Sequence, residues 1–416
     1  MAITYTATSN PGGLTGTALD GLPIEVTGLT LDTPYTFTVT ATADIASTPS
    51  TPSASVTPAV YVGKMWSWGS NDIGHLGLGD ITYRSSPVQV GVGTNWNKVS
   101  GGFWHGLATK TDGTLWAWGY NQFGQLGMGN TVYKSAPTQV GAGTNWSNIS
   151  GGVVHTAAIK KDGTLWTWGS GRFGILGNGS TADLLSLNQI GAASTWLKVS
   201  CGHYTTHAIK TDGTLWGFGR GVYGALGDGT TINRSSPVQI GVLTNWSSIS
   251  SSSAWGTMGI ANGALWALGG QNSSGELGIN NKLITSNPTQ VGALTTWLNV
   301  SIGYLATLAT KTDGTLWTWG SNAYGQLGLD LSTTATYRSS PVQVGTGTTW
   351  LNVSVGHKHV VATKTDGTLW SWGYNAFGQL GQGDLVARSS PVQVGALTHW
   401  SKKLTSEYYG CIVIST

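Results

Sequence analysis

WNKVSGGFWHGLATKTDGTLWAWGYNQFGQLGMGNTVYKSAPTQVG, residues 96–141, is one unit of a repeat that fills most of this 416-residue chain. Its Trp116 belongs to a set with Trp66, Trp166, Trp216, Trp266, Trp317 and Trp370, spaced 50 to 53 residues apart, each opening a W-x-W-G motif or a near variant. Its Trp96 belongs to a second set with Trp146, Trp196, Trp246, Trp297, Trp350 and Trp400. Once the second tryptophans of the W-x-W-G motifs are counted, only Trp104 and Trp255 stand outside the pattern. A period near 50 residues marks a closed or stacked array of one supersecondary unit rather than several unrelated domains.

Within the unit, Asp112-Gly113 is a hairpin signal, because a tight two-residue turn needs positive φ at its centre. The turn recurs at Asp162-Gly163, Asp212-Gly213, Asp313-Gly314 and Asp366-Gly367, with Asn262-Gly263 substituting once. The flanking runs alternate, with Leu115 and Ala117 on one side and Trp116 and Trp118 on the other, so two antiparallel strands meet at the turn. The G-x-L-G loops (Gly124 to Gly127 and equivalents) mark tight turning; without a following helical period they do not make a phosphate cradle. The proline of P-x-Q-[VI]-G (Pro137 here) suits the first residue of an outer strand, where a missing N–H costs least. Four short strands per unit follow.

Only 9% of residues are charged and 63 are glycine, as expected of short strands and tight turns. The net charge is +3; residues 1–60 hold Asp20, Glu25, Asp32 and Asp44 and no lysine or arginine, so the rest carries 20 basic against 13 acidic side chains. That mild bias is far from the basic stripe that nucleic acid requires. Two cysteines, Cys201 and Cys411, make neither a disulfide framework nor a metal-ligand spacing. No apolar run reaches membrane-spanning length, and MAITYTATSN has no basic segment leading into an apolar one, so neither membrane insertion nor a secretory signal is expected.

W-x-W-G, G-Q-L-G, RSSPVQVG and D-G-T-L-W together resemble the regulator of chromosome condensation repeat, over residues 61–416. The resemblance implies a seven-bladed β-propeller. Residues 61–91 supply half of a unit and Trp400 to Thr416 the complementary half, so the N- and C-terminal half-blades are expected to pair and close the ring. The fold class expected is therefore all-β, with a small partial β-sandwich in front. That sandwich is residues 1–60, where VTGLTLDTPYTFTVTAT (Val26 to Thr42) resembles a fibronectin type III module with Tyr35 at its tyrosine corner. It lacks about two strands, so completion by another chain, with Tyr5, Tyr35 and Phe37 as the assembly anchor, or packing on the propeller are both open; the Pro/Ser/Thr stretch of residues 46–59 mixes a last strand with a linker.

Equivalent positions that do not repeat are those the fold does not dictate. They precede the second strand of each unit: Phe103-Trp104-His105, Val153-Val154-His155, His203-Tyr204-Thr205, Ser253-Ala254-Trp255, Tyr304-Leu305-Ala306, His357-Lys358-His359 and Glu407-Tyr408-Tyr409. By symmetry they form a ring on one face. Two readings fit: a binding face carried by Phe103, Trp104, His105, Tyr204, Trp255, Tyr304, His357, Lys358, Tyr408 and Tyr409, or unconstrained loops whose aromatics plug the channel. His105 and His155 also occupy the position where the repeat family carries a bracing histidine. His357 and His359 lack a third metal ligand. The arginines of RSSP (Arg84, Arg234, Arg338, Arg388) are expected to stack or hydrogen-bond between blades.

There is no carboxylate pair, nucleophile elbow or metal triad, so neither catalysis nor a cofactor is expected. The expected function is a non-enzymatic binding and structural protein, extracellular or on a virion surface as a phage tail-fibre or capsid-decoration protein. It would contact a protein or glycan receptor through the propeller face and a larger assembly through its N-terminal module. The alternatives are a secreted or cell-surface adhesin or inhibitor and, from the namesake of the family, an intracellular GTPase-exchange or chromatin factor, for which the basic tail and acidic loops are missing.

Overall fold

The computed structural model describes residues 3–19, 24, 26, 29, 33–42, 47–53, 55, 63–252, 256–330 and 337–415. The chain divides into two compact units, Met1–Tyr61 and Val62–Thr416. Among the described residues the architecture is all-β, with two three-residue 3-10 turns, Arg172–Gly174 and Val222–Gly224, as the helical elements. No helix is long and apolar enough to cross a membrane.

The first unit is one antiparallel sheet in which Thr4–Asn10 lies between Thr15–Leu19 and Thr36–Thr42; the described residues form no second layer. Tyr35 is buried inside this unit, so it is part of its interior rather than a surface anchor, while Tyr5 and Phe37 are half-buried. Part of the Pro/Ser/Thr stretch pairs along the sheet. Ser47, Ser50 and Ser53 donate their backbone N–H groups to the carbonyls of Ala41, Val39 and Phe37, and their hydroxyls accept from the N–H groups of the same three residues. The S-T-P period of three matches three residues per turn in a polyproline helix, which brings every third serine to the strand. One sheet edge is thereby capped from within the chain.

The described residues of the second unit form seven four-stranded antiparallel sheets. In the sheet that carries both ends, Trp400–Ser406 and Gly410–Ser415 continue into Lys64–Gly69 and Arg84–Gln89, with Cys411 opposite Trp68 and Val413 opposite Trp66. The next runs Trp96–Gly101, His105–Lys110, Leu115–Gly119, Lys134–Gln139, and the other five follow the same plan. Each first strand packs against that of the next sheet, and that of the terminal sheet returns to Trp96–Gly101.

One hydroxyl per seam stitches this cycle. Ser100, Ser150, Ser200, Ser250, Ser301, Ser354 and Thr405 accept, in turn, from the backbone N–H of Gly151, Cys201, Ser251, Ile302, Val355, Ser406 and Gly101. The second tryptophans lie between sheets: Trp118 is fully buried and donates to the His75 carbonyl of the preceding sheet at 2.7 Å, and Trp168 to that of Gln125 at 2.9 Å. Glycine is required against them at the end of the preceding G-x-L-G loop, since a Cβ on Gly77 would stand 2.8 Å from Trp118 Nε1 and one on Gly127 2.8 Å from Trp168 Nε1. At the other end of the strands, Lys110, Lys160, Lys210, Lys311 and Lys364 each lie between the two tryptophan sets, with Nζ 3.7 to 3.9 Å from the W-x-W-G ring.

Two local expectations need correction. Pro87 and Pro137 are the fourth residues of their outer strands, not the first. They fall in the register irregularity of a sheet edge, where no ladder bond is lost. Arg84, Arg234 and Arg388 do not bridge sheets: they pair with Asp80, Asp228 and Asp384 of their own preceding loops, at 2.6, 2.8 and 2.6 Å.

Candidate functional site: an aromatic face at the channel mouth

Because strands alternate in direction, the loop after the first strand and the loop after the third emerge at the same end of every sheet. The non-repeating segments therefore share one face with the G-x-L-G loops. On that face ring centroids form a continuous chain. Tyr304 lies 4.2 Å from His357, His357 4.1 Å from Tyr408, Tyr408 3.7 Å from Phe103 and Phe103 4.7 Å from Trp104. It continues from Trp104 to Tyr120 at 5.6 Å and from Tyr120 to Tyr133 at 4.9 Å. A branch leaves Tyr408 through Tyr409 at 4.2 Å to Phe377 at 4.8 Å, and Phe377 meets Tyr83 at 5.8 Å. Lys358 lies 4.3 Å from the Tyr324 ring and donates to its hydroxyl at 3.1 Å.

The structure thus brings together seven of the residues singled out in the sequence: Phe103, Trp104, Tyr304, His357, Lys358, Tyr408 and Tyr409. Tyr204 belongs to a separate cluster, 5.1 Å from Phe173, with the Arg220 guanidinium 4.7 Å above the Phe173 ring. Phe173 adopts φ 60, as does Tyr223, a conformation costly for a non-glycine residue and common at functional loops. Trp255 lies outside the described residues. His105 is not on the face: it is fully buried and its Nε2 sits 3.0 Å from Thr156 Oγ1 of the next sheet, as His155 does with Thr206 at 2.9 Å. Its side chain points between sheets because it begins the second strand, whereas Trp104 belongs to the loop.

Phe103, His357 and Tyr408 line the mouth of the central channel, whose wall is otherwise mainly glycine and serine backbone. The rings do not fill the face inward alone: Trp104 is 38% exposed, and Tyr133, Tyr324, Tyr83 and Tyr223 are exposed as well. Around them stand exposed aliphatic loop residues, Ile81, Val132, Ile232, Leu385 and Val386. Tyr83, Tyr120, Tyr324, Tyr374 and Phe377 escaped the sequence reading. They follow W-x-W-G, sit in the G-x-L-G loop or precede the outer strand, and at those places too the repeat does not hold, with Ser70, Tyr120, Ser170 and Arg220 equivalent. Extending the criterion of broken repetition to these columns finds them.

The chemistry available is recognition. Burial, with help from Lys358 and His359, pulls the His357 imidazole down to about 3, so it is neutral and stacks as an aromatic ring. Burial pushes the Tyr409 hydroxyl up, as does Tyr408. His359 Nε2 lies 3.2 Å from Cys411 Sγ, away from His357, and among the described residues no group of three or more His, Cys, Asp or Glu side chains is placed to hold a metal ion. Glu407 departs from the pattern differently. Three other sheets carry glycine there ahead of a histidine that a Cβ would meet, 2.2 Å from His105 Cε1 at Gly102, 2.5 Å from His155 Cε1 at Gly152 and 2.4 Å from His359 Cε1 at Gly356. In the terminal sheet Gly410 replaces that histidine, and the Glu407 side chain fills the room it leaves, 2% exposed, neither oxygen hydrogen-bonded, its carboxyl held well above the carboxylate range by burial. It is a neutral filler of the closing seam.

A cycle of four-stranded sheets around a channel, its variable aromatics gathered at one mouth, defines a β-propeller. The regulator of chromosome condensation (RCC1) repeat model matches residues 62–109, 112–159, 162–209, 212–255, 313–363 and 366–403, and the chain belongs to that family. Among curated relatives, the human probable E3 ubiquitin-protein ligase HERC6 is 33% identical over 148 residues, 34% of this chain and 14% of that protein. The mitochondrial RCC1 domain-containing protein RUG3 of Arabidopsis thaliana is 31% identical over 143 residues, 33% of this chain and 32% of that protein. The chain spans no more than a third of the length of these relatives. Human WBSCR16 superimposes with a TM-score of 0.75 at 17% identity, covering 85% of this chain and 99% of its own, and Saccharomyces cerevisiae Prp20p with 0.76 at 16%, covering 86% and 92%. At such identities the likeness concerns the fold.

Proposed function

We propose that the seven sheets are the blades of one closed propeller and that the chain is a non-enzymatic binding protein whose ligand docks on the aromatic face. The observation that supports this reading is the contiguous run of rings from Tyr304 to Tyr133, drawn from positions the repeat leaves free and ending in exposed Trp104 and Tyr133. Aromatic side chains with a desolvated centre and an exposed rim are the composition of binding hot spots. Protein is the ligand class we favour, with glycan second; Prp20p, which shares the fold, has binding properties to Gsp1p and histones. The setting we propose is extracellular or a virion surface, on the low charge and Thr/Ser/Gly-rich composition, with the N-terminal unit as the attachment to a larger assembly.

The test is binding to panels of intact cells and glycans by the protein and by the Trp104→Ala/Tyr408→Ala double variant. The expected result is a loss of about 2 kcal/mol or more, roughly thirtyfold in affinity, with the protein still folded and its unfolding temperature lowered by only a few degrees. Equal binding by the double variant would contradict the assignment.

A further inference from the structure

A second cluster lies on the same first strands, below the aromatic mouth. On the innermost strands Lys98, Lys198 and Lys403 occupy one repeat position: Lys98 and Lys198 pair with Thr109 and Ile209, and Lys403 precedes the Leu404 to Val413 pair. The four remaining sheets place Asn148, Ser248, Asn299 and Asn352 there. None of the seven is acidic. Lys98 stands three residues from Gly101 at the aromatic mouth, about 10 Å along the strand.

Each ammonium reaches across a seam. Lys98 donates to the Ser147 carbonyl, Lys198 to the Ser247 carbonyl, and Lys403 to Asn97 Oδ1 at 3.0 Å. One neutral acceptor apiece occupies one of three N–H donors and balances no charge. Lys198 is exposed to solvent. Burial holds all three below the usual lysine range; Lys198 also acts on Lys98, and Lys98 on Lys403, and no carboxylate acts on any of them. Three cations thus stand at one level of the innermost strands, without a carboxylate to balance them.

We propose that this part of the channel is a binding site for a small tetrahedral oxyanion of the phosphate class, held between Lys98, Lys198 and Lys403. A tetrahedral anion offers acceptors in several directions at once, which a ring of donors on separate sheets can meet. The site is independent of the aromatic face.

Calorimetric titration of the whole chain with inorganic phosphate, at fixed ionic strength set with sodium chloride, tests it. One saturable site is expected, weakened at least tenfold by Lys98→Met and by Lys403→Met and unchanged by Lys161→Met, which removes an exposed turn lysine. Circular dichroism verifies that each variant is folded, and Lys403→Gln replaces any that is not. Absence of saturable heat from the unaltered protein, or undiminished affinity in folded Lys98→Met, would overturn the proposal.

Discussion

Trp118→Ala is expected to destabilise the second unit by about 3 to 5 kcal/mol, measured as a shift in denaturant midpoint. Trp118 is fully buried with Met65, Val90, Trp96, Ala108, Ile412 and Ile414, a cluster that joins the terminal sheet to its neighbour. Its loss leaves a cavity that Gly106 and Gly77, packed against the indole, have no side chains to fill. It also leaves the His75 carbonyl, now bonded at 2.7 Å, without its donor. Trp104→Ala should cost less than about 1 kcal/mol, because its ring is more than a third exposed and only edges its neighbours. If the two substitutions cost the same, the division between tryptophans that build the ring and those that do not is wrong.

The second large effect is acid unfolding. Burial lowers His75, His207 and His359 to about 4, and His105, His155 and His357 to about 3. Below the unfolded value of 6.5 the unfolded chain binds protons that the folded chain refuses, so stability is complete above pH 6.5 and falls as pH drops toward 3 to 4. Each histidine contributes a slope of up to about 1.4 kcal/mol per pH unit. Several acting together exhaust a net stability of about 5 to 15 kcal/mol within one or two units, which places unfolding near pH 5. Glu407 has the opposite sign: its folded value is raised, so it weakens the fold as pH rises above about 4.3. Glu407→Gln is therefore expected to raise the unfolding temperature at pH 8, and to raise it by progressively less as the pH is lowered toward 6. A flat stability profile between pH 7 and 4 would contradict this account of the buried imidazoles.

The repeat made the fold legible because each recurring residue answers to a local steric demand. Asp112-Gly113 turns a hairpin, Gly77 and Gly127 admit an indole, and the complementary half-units at the two ends pair as Cys411 with Trp68. Pro87 and Arg84 were placed less well, since the strand boundary and a loop carboxylate at Asp80, neither marked by period, decide their roles. The candidate face was half legible. Broken repetition located Phe103, Trp104, His357 and Tyr408, but the same signal at Tyr120, Tyr374 and Phe377 was masked by the neighbouring W-x-W-G and G-x-L-G motifs. His105 and Trp104 are adjacent in sequence yet lie in core and face, because the first residue of the strand already points between sheets. In residues 1–60, the S-T-P run reads as a strand mixed with linker, because polyproline pairing with a strand leaves no alternation of apolar residues to mark where the pairing lies.

The central claim is that the tryptophans in register build the ring while the out-of-register aromatics present a surface. Hydroxyl-radical footprinting of the intact protein, free and bound to whichever cell surface or glycan it recognises, tests this most directly. Modification of Trp104, Tyr133 and Tyr324 is expected in the free protein and protection of them in the bound one, with Trp118 and Trp168 unreactive throughout. Protection confined to the opposite end of the sheets, around exposed Val92 and Val242, with Trp104 still reactive, would contradict the account.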